Sequence, residues 1–209
     1  MNRSEKFWNN NAGGYDKEEM KDRDGRIRIL DKTRKYLRQE GNVLDYGCAT
    51  GIVANAIAGE VNGITGIDIS PEMIRVARQS AGELNIRNVT YACSTIFDEK
   101  LKAGSFDVIL AVYLLHLLED MPGALARIHE LLKPGGLFIS VTPCLGKRSL
   151  AGMGLLLASK LGLIPGMKLF DLPGLEQSIT GADFKILETD CLQRKGQQYF
   201  IAAEKRVFS

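Results

Sequence analysis

The sequence predicts an α/β protein built on a doubly wound, seven-stranded sheet. The sheet is mostly parallel, ends in a C-terminal antiparallel hairpin and carries helices on both faces. Three observations predict it. From residue 43 onward, short apolar runs alternate repeatedly with helix-forming segments, as strands joined by crossover helices do. The run Phe106–Val112 is nearly continuous in apolar residues, which suits a central parallel strand covered on both faces. Finally, only Arg194-Lys195-Gly196 and its neighbours separate the last two strand-like runs, which is room for a hairpin but not for a crossover. With 209 residues, 45% of them hydrophobic, a single domain spanning 1–209 can bury a full core.

Taken in order, Glu18 to Gln39 is rich in charge, with Ile27, Leu30, Arg34 and Leu37 at helical spacing. The aliphatic stem of Arg34 completes a narrow stripe that docks on the body, and residues 1–40 form an N-terminal helical cap. Val43–Tyr46 is a short buried strand, and Ile52–Ala58 the helix after it. Ile64–Ile69 is a second strand. Ser70 caps the next helix, with Pro71 at its first position and Glu72 in its first turn, a strong start signal. Val89–Cys93 and Phe106–Val112 are strands three and four. Asp120 caps a helix that Lys133-Pro134-Gly135-Gly136 stops, and Leu137 opens strand five. Residues 145–171 form a lid-like insert. Pro173–Gly181 is a helix, and Phe184–Leu192 and Gln198–Glu204 make the hairpin.

Composition narrows the function classes. A net charge of +2 with both signs interspersed provides no dedicated nucleic-acid surface. The cations of the N-terminal helix, among them Arg23, Arg26, Arg28 and Lys32, are mixed with acids and read as a solvated face. The four cysteines are widely spaced with no C-x-x-C pair, so neither a disulfide framework nor a zinc site is expected. Three lie in or beside apolar runs and read as small buried hydrophobes. The segment Met1–Asn11 has no apolar signal core. Ser149–Met167 is broken by glycines and Lys160, well short of the ~20 apolar residues of a membrane span. A cytoplasmic, reduced protein is expected.

The stretch Val43–Gly51, VLDYGCATG, is where chemistry enters. In doubly wound sheets, ligands bind beyond the carboxyl ends of the strands. Here the first strand ends in Asp45, and Gly47 and Gly51 leave the following loop nearly bare, so that a ligand can lie against backbone and meet the N–H groups of the next helix. Asp68, a little over twenty residues later, ends strand two, where an acid accepts hydrogen bonds from a ribose diol. A dinucleotide loop needs glycine where this chain has Ala49 and Ile52, and a pyrophosphate would meet the Asp45 charge. A sulfonium cofactor with a free amino group, S-adenosyl-L-methionine, suits that carboxylate.

These residues resemble a known family. VLDYGCATG resembles motif I of the class I S-adenosylmethionine-dependent methyltransferases, with their Rossmann-like fold. GIDIS with PEMI is similar to the second motif, and Phe106–Asp120 and Leu131–Gly136 to later ones. The resemblance is close over roughly residues 40 to 144 and points to the small-molecule branch, similar to quinone and sterol C-methyltransferases. It implies that Gly47, Cys48 and Gly51 line the methionine part of the cofactor, with Asp45 behind them. Asp68 holds the ribose, and Ile69 and Met73 pack on adenine. Ser94 and Thr95 stand where many relatives place an acid facing the adenine amino group, and Ala111 and Val112 present backbone to the methionine. Trp8, Ala12, Tyr15 and Asp16 match an N-terminal pattern in which Tyr15 closes over the methionine carboxylate. No metal is implied.

His116, just past strand four, has two readings: a general base, with an ordinary pKa of ~6.5, or a group that only shapes the pocket. His129 reads as a surface residue, and Tyr113 either faces the acceptor or packs. The leucines of the insert, including Leu155, Leu157, Leu161 and Leu163, favour an apolar or amphipathic small-molecule acceptor, or else pack on the core or on another subunit. No N/D-P-P-Y/F cluster follows strand four; Ala111-Val112-Tyr113-Leu114 stands there, which disfavours amino methylation of nucleic acid. A nicotinamide-dependent oxidoreductase and a non-catalytic S-adenosylmethionine-binding protein are the alternatives.

Overall fold

A computed structural model describes residues 3–19, 22–146, 150–193 and 197–207. Two helices come first, α1 (Arg3–Glu19) and α2 (Arg23–Arg34). There follow β1 (Asn42–Tyr46), α3 (Ile52–Ile57), β2 (Gly63–Asp68), α4 (Pro71–Glu83), β3 (Val89–Cys93) and β4 (Phe106–Val112). The chain continues through α5 (Met121–Leu131), β5 (Leu132–Pro143), α6 (Leu150–Lys160), α7 (Leu172–Thr180), β6 (Phe184–Gln193) and β7 (Gln198–Lys205). The strands form one sheet in the order β3-β2-β1-β4-β5-β7-β6. Pairing is parallel from β3 to β5, and β7 runs antiparallel to both of its neighbours. The hairpin turn Arg194-Lys195-Gly196 lies outside the described residues.

Strand alternation divides the core into two layers. Val43, Val108 and Leu110 face α2, α3 and α4 through Ile29, Ala54, Ile57, Ile74 and Ala77. Leu44, Tyr46, Ile109 and Ala111 face α5 and α7 through Leu125, Ile128, Leu175 and Ile179. Helices therefore cover both faces, as a sheet apolar on both sides requires. Their starts are fixed locally. Ser70 Oγ accepts from the Met73 amide, Asp120 from Gly123 and Asp171 from Gly174, each satisfying an amide that the first helical turn leaves unpaired.

Four expectations are corrected. The cap holds two helices; the second begins at Arg23 and closes at Arg34, short of Gln39. Its buried line is Gly25, Ile29 and Thr33, whereas Ile27 is exposed and Arg34 pairs with Glu60. The cause is tertiary: Arg28 donates to the Leu192 carbonyl and Lys32 pairs with Glu188 and Asp190, seating α2 across β6 and turning the stripe. Strand five begins at Leu132 opposite Phe106. Lys133–Gly136 bulges out before regular pairing resumes at Leu137, so these residues interrupt the strand instead of preceding it. Of the four free cysteines only Cys48 and Cys144 are buried, and Cys93 is exposed. His129 is half-buried, edge-on to Phe184 at 5.3 Å.

Candidate functional site

The order of the sheet reverses at β1, which has β2 on one side and β4 on the other, and a crevice opens beyond the strand ends at such a point. The loop after β1 lies in it. Gly47 (φ 74°), Ala49 (φ 46°) and Gly51 (φ 81°) all take left-handed backbone. The amides of Gly47 and Cys48 both donate to the Ile67 carbonyl, at 2.8 and 3.0 Å. Asp68 completes the cradle. Its Oδ2 accepts from the Ala49 amide at 3.1 Å and its Oδ1 from the Ser70 amide at 2.8 Å, so the acid that ends β2 also fixes the loop after β1. Carboxylate oxygens carry two lone pairs each, which leaves acceptor capacity for a diol.

Helix α1 roofs this crevice. Asn9 Oδ1 accepts from the Ser70 hydroxyl at 2.6 Å, and Asp16 Oδ1 accepts from the Thr50 hydroxyl at 2.6 Å. The rings of Trp8 and Tyr15, 6.3 Å apart, hang beneath it. Under this roof lies a cavity of ≈ 510 Å³ lined by Asp45, Gly47, Cys48, Thr50, Val112, Tyr113 and His116. Leu155, Ile164 and Met167 of the insert close its far side. A smaller pocket of ≈ 110 Å³ adjoins it, sharing Trp8, Tyr15, Gly47 and Val112, with Asp68, Ile69, Met73 and Leu118 for walls. The main cavity falls in the range of small-molecule sites, roughly 300–1,000 Å³.

Its electrostatics are lopsided. Asp45 is 2% exposed. The Ala54 amide donates to its carboxylate, but Oδ2 has no hydrogen-bond partner among the described residues. Burial, reinforced by the nearby charge of Asp68, pushes its pKa up to about 7, because a buried carboxylate without a counter-charge resists ionisation. Burial likewise raises Asp68, against the backbone donors that favour its charge. Arg26 is half-buried in the same cavity wall. It is the only Lys or Arg among the described lining residues and has no ion-pair partner among the described residues. An acid and a cation, each waiting for a partner in one cavity, complement a zwitterion.

Of the cofactor-binding and catalytic candidates, nine line one or both cavities: Tyr15, Asp45, Gly47, Cys48, Asp68, Ile69, Met73, Val112 and His116. Gly51, Ser94, Thr95 and Ala111 do not. Gly51 stands behind the loop, and a Cβ there would overlap the Tyr91 hydroxyl, so glycine at this position answers to packing and left-handed backbone. Ala111 is fully buried toward α5. The Ser94 hydroxyl donates to Asp98 Oδ2 at 2.7 Å, and its amide to the Asp68 carbonyl at 2.9 Å. Thr95 Oγ1 accepts from the Phe97 amide at 3.4 Å.

Burial holds the His116 imidazole well below its usual range, at about 4, and its Nδ1 has no partner among the described residues. Tyr113 takes left-handed backbone (φ 53°), and its hydroxyl donates to Gln198 Oε1 at 2.8 Å. Of the insert leucines, Leu155 lines the cavity while Leu157, Leu161 and Leu163 face outward. Sequence reasoning missed Arg26, which it assigned to a solvated face, and Thr50, Leu118 and Gln198. Thr50 and Leu118 lie within stretches already singled out, Val43–Gly51 and Phe106–Asp120, and were passed over there; no local signal marks Arg26 or Gln198, which long-range packing brings to the cavity.

Known proteins share part of the sequence and the fold. The sequence profile of a family described as a methyltransferase domain matches residues 37–164. Aklanonic acid methyltransferase of Streptomyces sp. (strain C5) is 36% identical over 104 residues, covering 48% of this chain and 47% of that protein. Ubiquinone biosynthesis O-methyltransferase of Vibrio parahaemolyticus is 38% identical over 95 residues, covering 45% and 40%. The matched stretch thus spans less than half the length of these curated relatives. The fold is also that of geranyl diphosphate C-methyltransferase from Streptomyces coelicolor, with a TM-score of 0.74, 14% identity and coverage of 87% of this chain and 79% of that one. The chain belongs to the methyltransferase domain family, within class I, whose methyl donor is S-adenosyl-L-methionine.

Proposed function

We propose that the protein transfers a methyl group from S-adenosyl-L-methionine to a small, apolar or amphipathic acceptor by direct displacement. The observation that carries this reading is the orphaned Asp45 carboxylate in the floor of a cavity whose outer wall is apolar. The donor supplies a sulfonium-activated methyl group; the chain supplies placement. Asp45 fits the ammonium of its amino-acid end and Arg26 the carboxylate, with Tyr15 closing from α1. Asp68 fits the ribose diol, and Ile69, Met73 and Leu118 form an apolar slot for the base. Gly47 and Val112 border both cavities, so the joint between them is where a sulfur would lie and where a methyl would point into the larger space.

Holding two reactants in line removes much of the entropic barrier, roughly 7–11 kcal/mol in favourable cases, and the roof of Trp8 and Tyr15 excludes water. His116 is neutral at physiological pH, since burial favours its uncharged form, and its unpartnered Nδ1 accepts a hydrogen bond from an acceptor hydroxyl and orients it; the same burial disfavours the imidazolium and makes it a weak proton acceptor. Two relatives carry the words aklanonic acid and ubiquinone in their names, which supports an acceptor with an extended apolar body. The free cysteines fit a reduced, cytoplasmic setting. Among the described residues no helix is long and apolar enough to cross a membrane.

Calorimetric titration with S-adenosylhomocysteine and NAD in parallel tests the cofactor assignment, with Asp68→Ala as control. Binding of the first alone, weakened at least tenfold in the variant, supports the reading and justifies an acceptor screen beginning with apolar phenols and acids. Binding of NAD instead sinks it, and binding without turnover across a broad screen favours a non-catalytic role.

A further inference from the structure

The insert carries a second feature that the methyl-transfer site does not use. Helix α6 and the turn after it expose Met153 (49%), Leu157 (59%), Leu161 (67%) and Leu163 (68%). Half of the exposed large hydrophobic residues of the described chain fall between 153 and 163, so this is one patch and not ordinary surface scatter. A helix apolar all round is normally buried. Here it is held outward: Arg3 of α1 donates to the Ser159 and Ile164 carbonyls, and the Ser159 hydroxyl donates to the Pro165 carbonyl. Residues 150–170 contain no Asp or Glu, and their only charged side chains are Lys160 and Lys168; Lys168 Nζ donates to the Glu119 carbonyl at 2.6 Å, which leaves Lys160 and Arg3 as the exposed cations at the patch.

The same segment walls the acceptor cavity from inside, through Leu155, Ile164 and Met167. One short element thus presents leucines outward, Lys160 and the Arg3 contact at its margin, and an apolar lining inward.

We propose that this face docks onto the surface of an anionic lipid bilayer, the leucines entering the acyl boundary and Lys160, together with Arg3 bound to the following turn, meeting the headgroups. Exposed apolar side chains flanked by cations, in a segment with no Asp or Glu between 150 and 170, match an interfacial element that lies on a membrane without crossing it. The bilayer is favoured over a second copy of the chain because a copy packed on this face would bring like charges to the apolar patch. Docking here brings the cavity wall formed by Leu155, Ile164 and Met167 next to the lipid, so an amphipathic acceptor dissolved in the bilayer would need only a shift of the insert to enter. This deepens the acceptor reading above and rests on it.

Flotation of the full chain with vesicles tests it. Vesicles containing about 30% phosphatidylglycerol should carry at least tenfold more protein than phosphatidylcholine alone, and ~0.5 M salt should reduce the difference severalfold. The double variant L157E/L161E, changed only at outward-facing positions, should lose flotation yet keep its affinity for S-adenosylhomocysteine. K160E should lose only the preference for anionic lipid. Flotation with neither vesicle, or flotation that L157E/L161E leaves intact, overturns the proposal. So does a dimer by light scattering that the double variant converts to monomer without any vesicle binding, which assigns the patch to a second copy. Loss of S-adenosylhomocysteine binding by the unaltered protein would strike the methyltransferase reading instead, leaving the flotation result to stand by itself.

Discussion

Replacing Asp45 by Asn should stabilise the protein and cripple it together. In the structure its carboxyl is buried, and its pKa rises from the usual 3.8 to about 7. At ~1.4 kcal/mol per tenfold change, ionising this group in the folded chain costs on the order of 4 kcal/mol more than in the unfolded chain. The sign follows from proton counts. Between pH ~4 and ~7 the folded state keeps a proton that the unfolded state releases, so this contribution to stability is complete below the unfolded pKa of ~3.9 and is lost as pH rises through about 7. The amide of the Asp45→Asn variant carries no such charge. Urea unfolding at pH 8 should therefore show Asp45→Asn more stable by ~1–4 kcal/mol, with the difference closing toward pH 5. Calorimetry at pH 8 should show S-adenosylhomocysteine binding weakened by roughly 10²-fold, the loss of a buried ion pair with the ligand ammonium. In the unaltered protein that affinity should fall as pH drops below 7, because ligand and proton compete for one carboxylate. An Asn variant that is destabilised at pH 8, or that binds S-adenosylhomocysteine as before, refutes the assignment of Asp45 as an unpaired acid reserved for a cation.

Three further outcomes follow from the same geometry. Arg26→Met should weaken S-adenosylhomocysteine about 5- to 20-fold while leaving 5′-methylthioadenosine, which lacks the amino-acid end, within about twofold by calorimetry; equal losses for both ligands would mean a general packing defect. His116→Gln, which disturbs the group that orients the acceptor hydroxyl, should lower kcat by up to ~10²-fold with S-adenosylhomocysteine affinity unchanged. Because burial holds this imidazole at about 4, the pH–rate profile should show no limb from it between pH ~5.5 and ~8. Gly51→Ala should cost ~2–4 kcal/mol in urea unfolding, from left-handed backbone and overlap with Tyr91, and a neutral result would show that the loop relaxes freely.

What the sequence disclosed and what it hid divide along a physical line. Ser70-Pro71 and Asp120 announce helix starts because a cap is made by residues three apart, and both caps appear where their spacing puts them. The run Phe106–Val112 declares a doubly covered strand because burial on both faces leaves no alternation to disguise it. The positions of Asp45 and Asp68 were legible because strand ends in this architecture converge, and the structure puts one of the two in the wall of each adjoining cavity.

The face of α2 was not legible in this way. Ile27 and Ile29 are equally apolar, and which one turns inward was decided by Arg28 and Lys32 reaching β6, some 160 residues away in sequence. Arg26 was hidden for the same reason: among neighbours of both signs it reads as solvated, and only the docking of α2 carries it into the wall of the cavity that Asp45 also lines. The glycine loop hid its motive as well. Gly51 looked like room for a ligand, yet its Cβ position belongs to Tyr91, so one residue type served packing where sequence suggested binding. Asp45 and Arg26 differ in what they cost. Asp45 is buried with Oδ2 unpaired among the described residues, a charge that a neutral residue would relieve at a gain in stability, whereas Arg26 is half-buried and keeps contact with solvent. On the proposed reading the two would meet the ammonium and the carboxylate of one donor molecule, and the cost carried by Asp45 would then serve binding.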